Sequence, residues 1–241
     1  MGGRAIIMCG GLGTRLKPLT LMTPKSLVPI GGRPILEIII QQLSCQGFDH
    51  ITLAVNHQAE MIREYIGDGA RFELKIDYSL EAKPLSTMGP LKLIEDLPDN
   101  FLVMNGDVLT DINFYEFLKH HMLENSLFTI SSAFREQKID FGVLECDPSN
   151  YLTGFQEKPI NHYQVSMGVY ALSKKILRFI PSGTSYGFDD LIFTLLAKGE
   201  EIRIRPYSGY WLDIGRLSDY DQALEDFQKF GDKIIAGGTK Y

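Results

Sequence analysis

The sequence predicts an α/β fold of the Rossmann-like kind: an open, mixed, mostly parallel sheet flanked by helices. Three observations predict it. The run Ala5-Ile6-Ile7-Met8-Cys9 is short, wholly apolar and followed at once by glycines, which is the pattern of a buried parallel strand ending in a tight loop. Strand-like and helix-like segments then alternate through residue 110, which implies βαβ units. Beyond that point strands outnumber helices, which adds non-parallel members to the sheet.

The elements follow in order. A helix is expected over 34–46, with Pro34 in its first turn. A strand at 51–55, a helix at 58–66, a strand at 72–78, a helix at 89–95 and a strand at 101–104 complete the first half. The second half offers strands at 128–133, 141–146, 152–156 and 165–172, and helices at 174–179, 189–197 and 217–230. The last helix carries Leu217, Tyr220, Ala223, Leu224 and Phe227 at helical spacing, which reads as a core-packing face. The chain has 241 residues, 44% of them hydrophobic, and lacks a linker or internal repeat, so a single domain is expected over 1–235 with a frayed tail at 236–241.

Charge narrows the partners. With 24 basic and 30 acidic residues the net charge is −6, which disfavours nucleic acid but permits a phosphorylated small molecule in a locally basic cleft. Cys9, Cys45 and Cys146 are widely spaced and odd in number, and read as reduced, small core residues. The five histidines show no metal-ligand spacing and read as structural or surface groups. No signal-peptide pattern opens the chain and no apolar stretch reaches the ~20 residues of a membrane span, so a cytoplasmic protein without membrane contact is the expectation.

The segment Gly10-Gly11-Leu12-Gly13-Thr14-Arg15 follows the first strand directly. Glycines allow close backbone approach and positive φ, and successive N–H groups can nest a phosphate. Arg15 adds a planar charged fork and Lys25 a second cation, with Pro18 and Pro24 stiffening the chain between them. A glycine cluster alone fits a ligand-free tight turn equally well. The loop matches neither GxxxxGK[ST] nor GxGxxG, which argues against a P-loop and against a dinucleotide dehydrogenase. Asp107, after the strand at 101–104, and Asp213, in Trp211-Leu212-Asp213-Ile214-Gly215, are oxygen ligands of the type Mg²⁺ takes, although each taken alone fits a turn or helix cap better.

Residues 10–30, GGLGTRLKPLTLMTPKSLVPI, resemble the signature of the sugar-1-phosphate nucleotidylyltransferases, and the likeness runs to about Phe227. The resemblance implies the fold of the nucleotide-diphospho-sugar transferases, with a nucleotide-binding half over 1–110 and a sugar-phosphate-binding half over 111–235. It implies Arg15, Lys25 and Asp107 as catalytic residues, and Asp107 and Asp213 as ligands of Mg²⁺. It places Gly10, Gly11, Gly13, Thr14, Glu81 and Gly89 at the nucleotide, the last two within Glu81-Ala82-Lys83-Pro84-Leu85-Ser86-Thr87-Met88-Gly89. It places Gly142 and, in Phe155-Gln156-Glu157-Lys158-Pro159, Glu157 and Lys158 at the sugar phosphate. Read without it, Gly142 fits a strand bulge, Glu157 and Lys158 an exposed turn, and Glu81 a solvated charge. Glu81 suits the N–H edge of guanine, and the likeness around PLTLMTPKSLVPI and the loop Pro84-Leu85-Ser86-Thr87-Met88-Gly89 implies GTP and a mannose or manno-heptose 1-phosphate as the favoured partners, with uridylyl, thymidylyl or cytidylyl transfer open and self-association compatible.

Two departures bear on the sugar. Met8-Cys9 stands where relatives often have Leu-Ala, and Ser166-Met167-Gly168-Val169-Tyr170 replaces an Asn-Ala-Gly-Ile-Tyr whose Asn contacts the sugar. A catalytically silent nucleotide-sugar sensor would be expected to lack Arg15, Lys25 or a metal carboxylate, and all are present.

Overall fold

The computed structural model describes residues 2–11, 13–56 and 58–236. Its strands are β1 (Gly3–Met8), β2 (Pro29–Ile30), β3 (Arg33–Pro34), β4 (Phe48–Val55), β5 (Lys75–Leu80), β6 (Asn100–Asn105), β7 (Val108–Thr110), β8 (Phe128–Lys138), β9 (Val143–Cys146), β10 (Leu152–Gln156), β11 (Ile160–Ser173), β12 (Ile202–Pro206) and β13 (Trp211–Asp213). Its α-helices are α1 (Ile35–Cys45), α2 (Ala59–Ile66), α3 (Phe114–Leu123), α4 (Phe188–Ala197) and α5 (Leu217–Ala236).

Seven strands form the central sheet in the order β12-β8-β11-β6-β1-β4-β5. Parallel pairs join β6, β1, β4 and β5, and also β12 and β8, while β11 runs antiparallel to both of its neighbours. The sheet is therefore mixed and mostly parallel, as expected.

Its central strands are apolar on both faces because both are covered. Ala5 and Ile7 of β1, Leu53 and Val55 of β4 and Leu102 and Met104 of β6 point into one core with residues of α1, α2, α3 and α5. Ile6, Ala54, Phe101 and Val103 point the other way, into a second core closed by α4. Alternation within an unbroken apolar run thus divides the side chains between two cores.

Several boundaries differ from the sequence reading. Pro34 caps α1 from outside, because its extended ψ of 142° pairs it in β3. The segments expected as α-helices at 89–95 and 174–179 are 3-10 helices, Gly89–Leu93 and Lys174–Phe179. Pro90 in the first of these supplies no N–H, and short i→i+3 bonds such as Ile94 N–H to the Leu91 carbonyl finish it. The strand expected at 72–78 begins only at Lys75, since Phe72 closes a 3-10 turn. α5 runs past Phe230 to Ala236, kinked where Phe230 has φ −148°. Of the three free cysteines only Cys9 is buried; Cys45 and Cys146 are exposed, on the outward faces of α1 and β9. From residue 237 the expected tail lies outside the described residues.

Candidate functional site

The carboxyl ends of β1, β4 and β6 lie level, with Met8 in register with both Ala54 and Asn105. A cleft of about 420 Å³ opens there. Open α/β sheets bind ligands at this edge. Gly10, Gly11, Gly13, Thr14, Arg15, Lys25, Glu81 and Asp107 all line it.

Local chemistry explains how the glycine loop holds its course. Gly13 has φ +60° and opens the 3-10 turn Thr14–Leu16. Its carbonyl accepts a hydrogen bond from the Thr20 hydroxyl at 2.7 Å. A Cβ on Gly13 would stand 2.8 Å from Thr20 Cγ2 and 3.2 Å from Lys25 Cβ, so the close approach requires glycine. Lys25 begins a second 3-10 turn, Lys25–Leu27, and its Nζ donates to the Asp107 carboxylate.

Asp107 and Asp213 meet through backbone pairing. β13 lies antiparallel to β7 with Asp213 opposite Val108, and the Ile214 N–H donates to the Asp107 carbonyl at 3.0 Å. Arg15 joins them: a Cβ on Gly215 would lie 3.4 Å from Asp213 Oδ2 and 3.5 Å from Arg15 Nη2. Burial pushes the Asp213 carboxyl above the usual carboxylate range, and the Asp107 charge pushes it further, against the pull of Lys25 and Arg15. Two neighbouring hard carboxylates, one of them raised by burial and by the charge of the other, fit a divalent cation. Arg15, Lys25 and Asp107 therefore line one cleft, and Asp213 stands behind its Gly215 wall, within reach of the charges of Asp107, Lys25 and Arg15.

Glu81 is 7% exposed, far from the solvated charge considered above. Its Oε2 accepts the Leu85 N–H at 2.8 Å, while its Oε1 faces the glycine loop, 3.0 Å from where a Cβ on Gly10 would stand. Burial raises its carboxyl above the ordinary value, and the Leu85 N–H opposes that shift. Gly89 does not reach the cleft. A Cβ there would meet Leu85 Cβ at 2.9 Å and the Thr184 carbonyl at 3.1 Å, so it packs beneath the loop that carries Glu81.

The three residues expected at the sugar phosphate lie together but outside that cleft. Gly142 packs on the Phe155 ring, with Glu157 Oε2 3.3 Å from its Cβ position. Lys158 Nζ is 4.0 Å from Glu157 Oε1, and both side chains are about two-thirds exposed, at 66% and 63%. They sit at the foot of β9 and β10, which pair only with each other.

Sequence reasoning missed Asn56, Asn105, Ser26 and Thr87, which also line the cleft. Asn56 and Asn105 carried a usable signal: each is the polar residue at the carboxyl end of an apolar strand. Cys9 lies there too, its thiol pushed up to about 12 by burial, which leaves it unreactive.

One histidine stands among carboxylates that its sequence spacing does not reveal. His50, Asp77 and Asp96 converge at the opposite, amino end of the sheet. His50 Nε2 lies 2.6 Å from Asp77, and Arg4, buried beneath, donates to Asp96 at 3.1 Å. With Lys75 Nζ 2.8 Å from Asp77 as well, cations already answer these carboxylates, and the group is an ion-pair network. His57 lies outside the described residues.

A family model described as nucleotidyl transferase matches residues 4–229. The chain belongs to the nucleotidyl transferase family. It is 32% identical over 241 residues to UTP–glucose-1-phosphate uridylyltransferase of Synechocystis sp., covering 92% of this chain and 62% of that protein. It is 33% identical over 226 residues to mannose-1-phosphate guanyltransferase of Kluyveromyces lactis, covering 90% and 62%. The chain thus spans less than two-thirds of the length of these curated relatives. Among solved structures it resembles HddC from Yersinia pseudotuberculosis, with TM-score 0.72, 28% identity and coverage of 93% and 99%, also determined in complex with GMP-PN. A putative glucose-1-phosphate thymidylyltransferase from Bacillus anthracis shares the fold, with TM-score 0.76 at 21% identity. No described helix is long and apolar enough to cross a membrane.

Proposed function

We propose that this chain joins a nucleoside triphosphate to a sugar 1-phosphate, releasing pyrophosphate, with GTP and mannose or manno-heptose 1-phosphate as the favoured pair. The observation that carries this reading is the convergence of Arg15, Lys25 and Asp107 on one cleft at the carboxyl edge of the sheet, with Asp213 beside Arg15 behind the Gly215 wall.

The reaction brings two anions together. The sugar-phosphate oxygen attacks the α-phosphorus in line, the bond from that phosphorus to the bridging oxygen breaks, and pyrophosphate leaves with the electron pair. The nucleophile is already ionised, so positioning and charge stabilisation are the whole task. Gly10, Gly11 and Gly13 offer backbone N–H groups to the phosphates. Arg15 and Lys25 neutralise charge developing on the leaving group. Lys25 must leave Asp107 to do so, and that exchange frees Asp107 to act with Asp213 as a metal site. Mg²⁺ bound there would supply further charge neutralisation at the triphosphate. Lys158 receives the incoming sugar phosphate.

Glu81 supports guanine. A carboxylate accepts the adjacent N–H groups of guanine's Watson–Crick edge, whereas uracil presents one N–H between two carbonyls that it would repel. The relative acting on UTP keeps uridylyl transfer as the competing outcome.

The test is a matrix of four nucleoside triphosphates against several sugar 1-phosphates, with and without EDTA, read by pyrophosphate release. Highest turnover with GTP and a manno-configured 1-phosphate, abolished by EDTA, is expected. Absence of pyrophosphate with every pair, alongside tight nucleotide-sugar binding, would instead establish a sensor.

A further inference from the structure

β7 and β13 are three residues each and pair with one another outside the central sheet. So short a ladder is marginal by itself in water, yet it decides where Asp213 stands. Side chains alternate along a strand, so a slip of one residue would exchange the faces of Asp213 and of Leu212, which belongs to the core. At one end the ladder is closed by the Ile214 N–H on the Asp107 carbonyl. At the other it runs one rung further, and a side chain builds that rung.

The Asp111 N–H donates to the Tyr210 carbonyl at 3.2 Å, as a strand partner would. The return bond from the Tyr210 N–H ends on the carboxylate of the same residue, Asp111 Oδ1, at 2.7 Å. Oδ1 also accepts the Tyr207 hydroxyl at 2.6 Å. Tyr207 is anchored in turn, its N–H donating to the Ser132 carbonyl of β8 at 2.7 Å. Asp111 is 3% exposed, and burying a carboxylate is costly unless charge-assisted bonds of this kind offset it.

We infer that Asp111 is the positioning residue that locks the register of β13 and so sets Asp213 beside Asp107. A carboxylate that merely capped its own turn would bond to residues next to it in the chain. The bonds of Asp111 reach Tyr207 and Tyr210, 96 and 99 residues away, on the segment that feeds β13. Gly209 lies inside the clamp: a Cβ there would strike the Tyr207 hydroxyl and stand 2.7 Å from Asp111 Oδ1.

The metal arm of the test rests on the transferase reading above; the placement of β13 does not. Trp211, the chain's one tryptophan, lies in β13 with its Nε1–H on the Met167 carbonyl at 2.9 Å, and reports that placement without substrate or metal. Asp111→Ala, studied well below its melting temperature, should keep the wild-type far-UV spectrum, red-shift the Trp211 emission and expose it to acrylamide quenching. Binding of Mn²⁺ without nucleotide, followed by the EPR signal of the free ion, should weaken by about 10–100-fold. Asp111→Asn keeps an acceptor oxygen for both donors and should return emission and Mn²⁺ affinity close to wild type. Gly209→Ala pushes the clamp apart at the far ends of two side chains; it should shift both readouts in the same direction, and it decides the matter if Asp111→Ala does not fold. A role confined to stability would lower Tm and leave Trp211 emission and Mn²⁺ binding of the folded variants unchanged. That result would overturn the inference, as would an Asn variant as impaired as the Ala variant. If the wild type binds no Mn²⁺ and releases no pyrophosphate, the transferase reading fails and the Trp211 emission alone decides for or against Asp111.

Discussion

Lys25 and Asp107, 82 residues apart in sequence, hold each other across the mouth of the cleft, with side chains only 14% and 18% exposed. The pair is self-neutralising without substrate, and both members are needed elsewhere once phosphates arrive. Lys25→Ala should lower kcat by about 100-fold or more, the loss usual when one preorganised charge is removed from a developing anion. Asp107→Asn should lose a comparable factor. Because each residue serves through the same exchange, the double variant should lose far less than the product of the two. Steady-state pyrophosphate release on the four proteins makes the cycle; strictly multiplicative losses would separate the two roles.

The glycine loop offers an internal control. Gly13 has φ +60° and its missing Cβ would press on Thr20 and Lys25, whereas a Cβ on Gly11 meets nothing within 4 Å. Forcing an L-residue into the left-handed region costs roughly 1–2 kcal/mol. Gly13→Ala should therefore lower Tm by about 2–8 °C and also reduce kcat, by displacing Lys25. Gly11→Ala should leave Tm unchanged and raise KM for the nucleotide, since the added methyl enters the open cleft. Equal thermal shifts in the two variants would refute the assignment of strain to Gly13.

Glu81 is the testable root of base choice. Its Oε2 is fixed by the Leu85 N–H, leaving Oε1 toward Gly10 and the cleft. Glu81→Gln preserves shape but replaces one acceptor with a donor, which opposes guanine's N–H edge. A lost charge-assisted contact through Oε1 is worth about 1–3 kcal/mol, so kcat/KM for GTP should fall ~10–100-fold. The same value for UTP should change little. An equal loss with both nucleotides would make Glu81 a support of the loop rather than a reader of the base.

The site was more legible than the frame around it. An apolar run followed by glycines fixes a strand end, and cations and carboxylates near strand ends declare themselves by type. What the sequence hides is pairing at a distance: β7 and β13 are three residues each, yet their ladder sets Asp213 beside Asp107. α3 was overlooked although Phe114, Phe117, Leu118 and His121 fall at helical spacing and form its buried face. Its start was nonetheless written in Asn113, whose Oδ1 accepts the Glu116 N–H at 2.9 Å. β12 was missed although Ile202-Arg203-Ile204-Arg205 alternates as an edge strand should. Gly89 lies outside the cleft lining and packs beneath the loop that carries Glu81, a placement its sequence context does not show.

Asp213 should make the metal-free protein less stable as pH rises. Burial and the Asp107 charge raise its carboxyl in the folded state above the ordinary value of 3.8. The folded protein therefore binds the proton more tightly than the unfolded chain does. The stabilisation from protonated Asp213 is complete below the unfolded value and lost as pH climbs through the raised folded value. Asp213→Asn removes both the titration and the repulsion. In EDTA, the variant should gain Tm relative to wild type as pH is raised from 4 to 7, and the two should converge toward pH 4. Mg²⁺ at neutral pH should raise the wild-type Tm and leave the variant's nearly unmoved, because the cation answers the carboxylate pair that only the wild type retains. The variant should also be almost inactive at every pH. Thermal melts across that pH range, with and without Mg²⁺, decide the matter: a difference between the proteins that stays constant with pH would remove Asp213 from the titrating site.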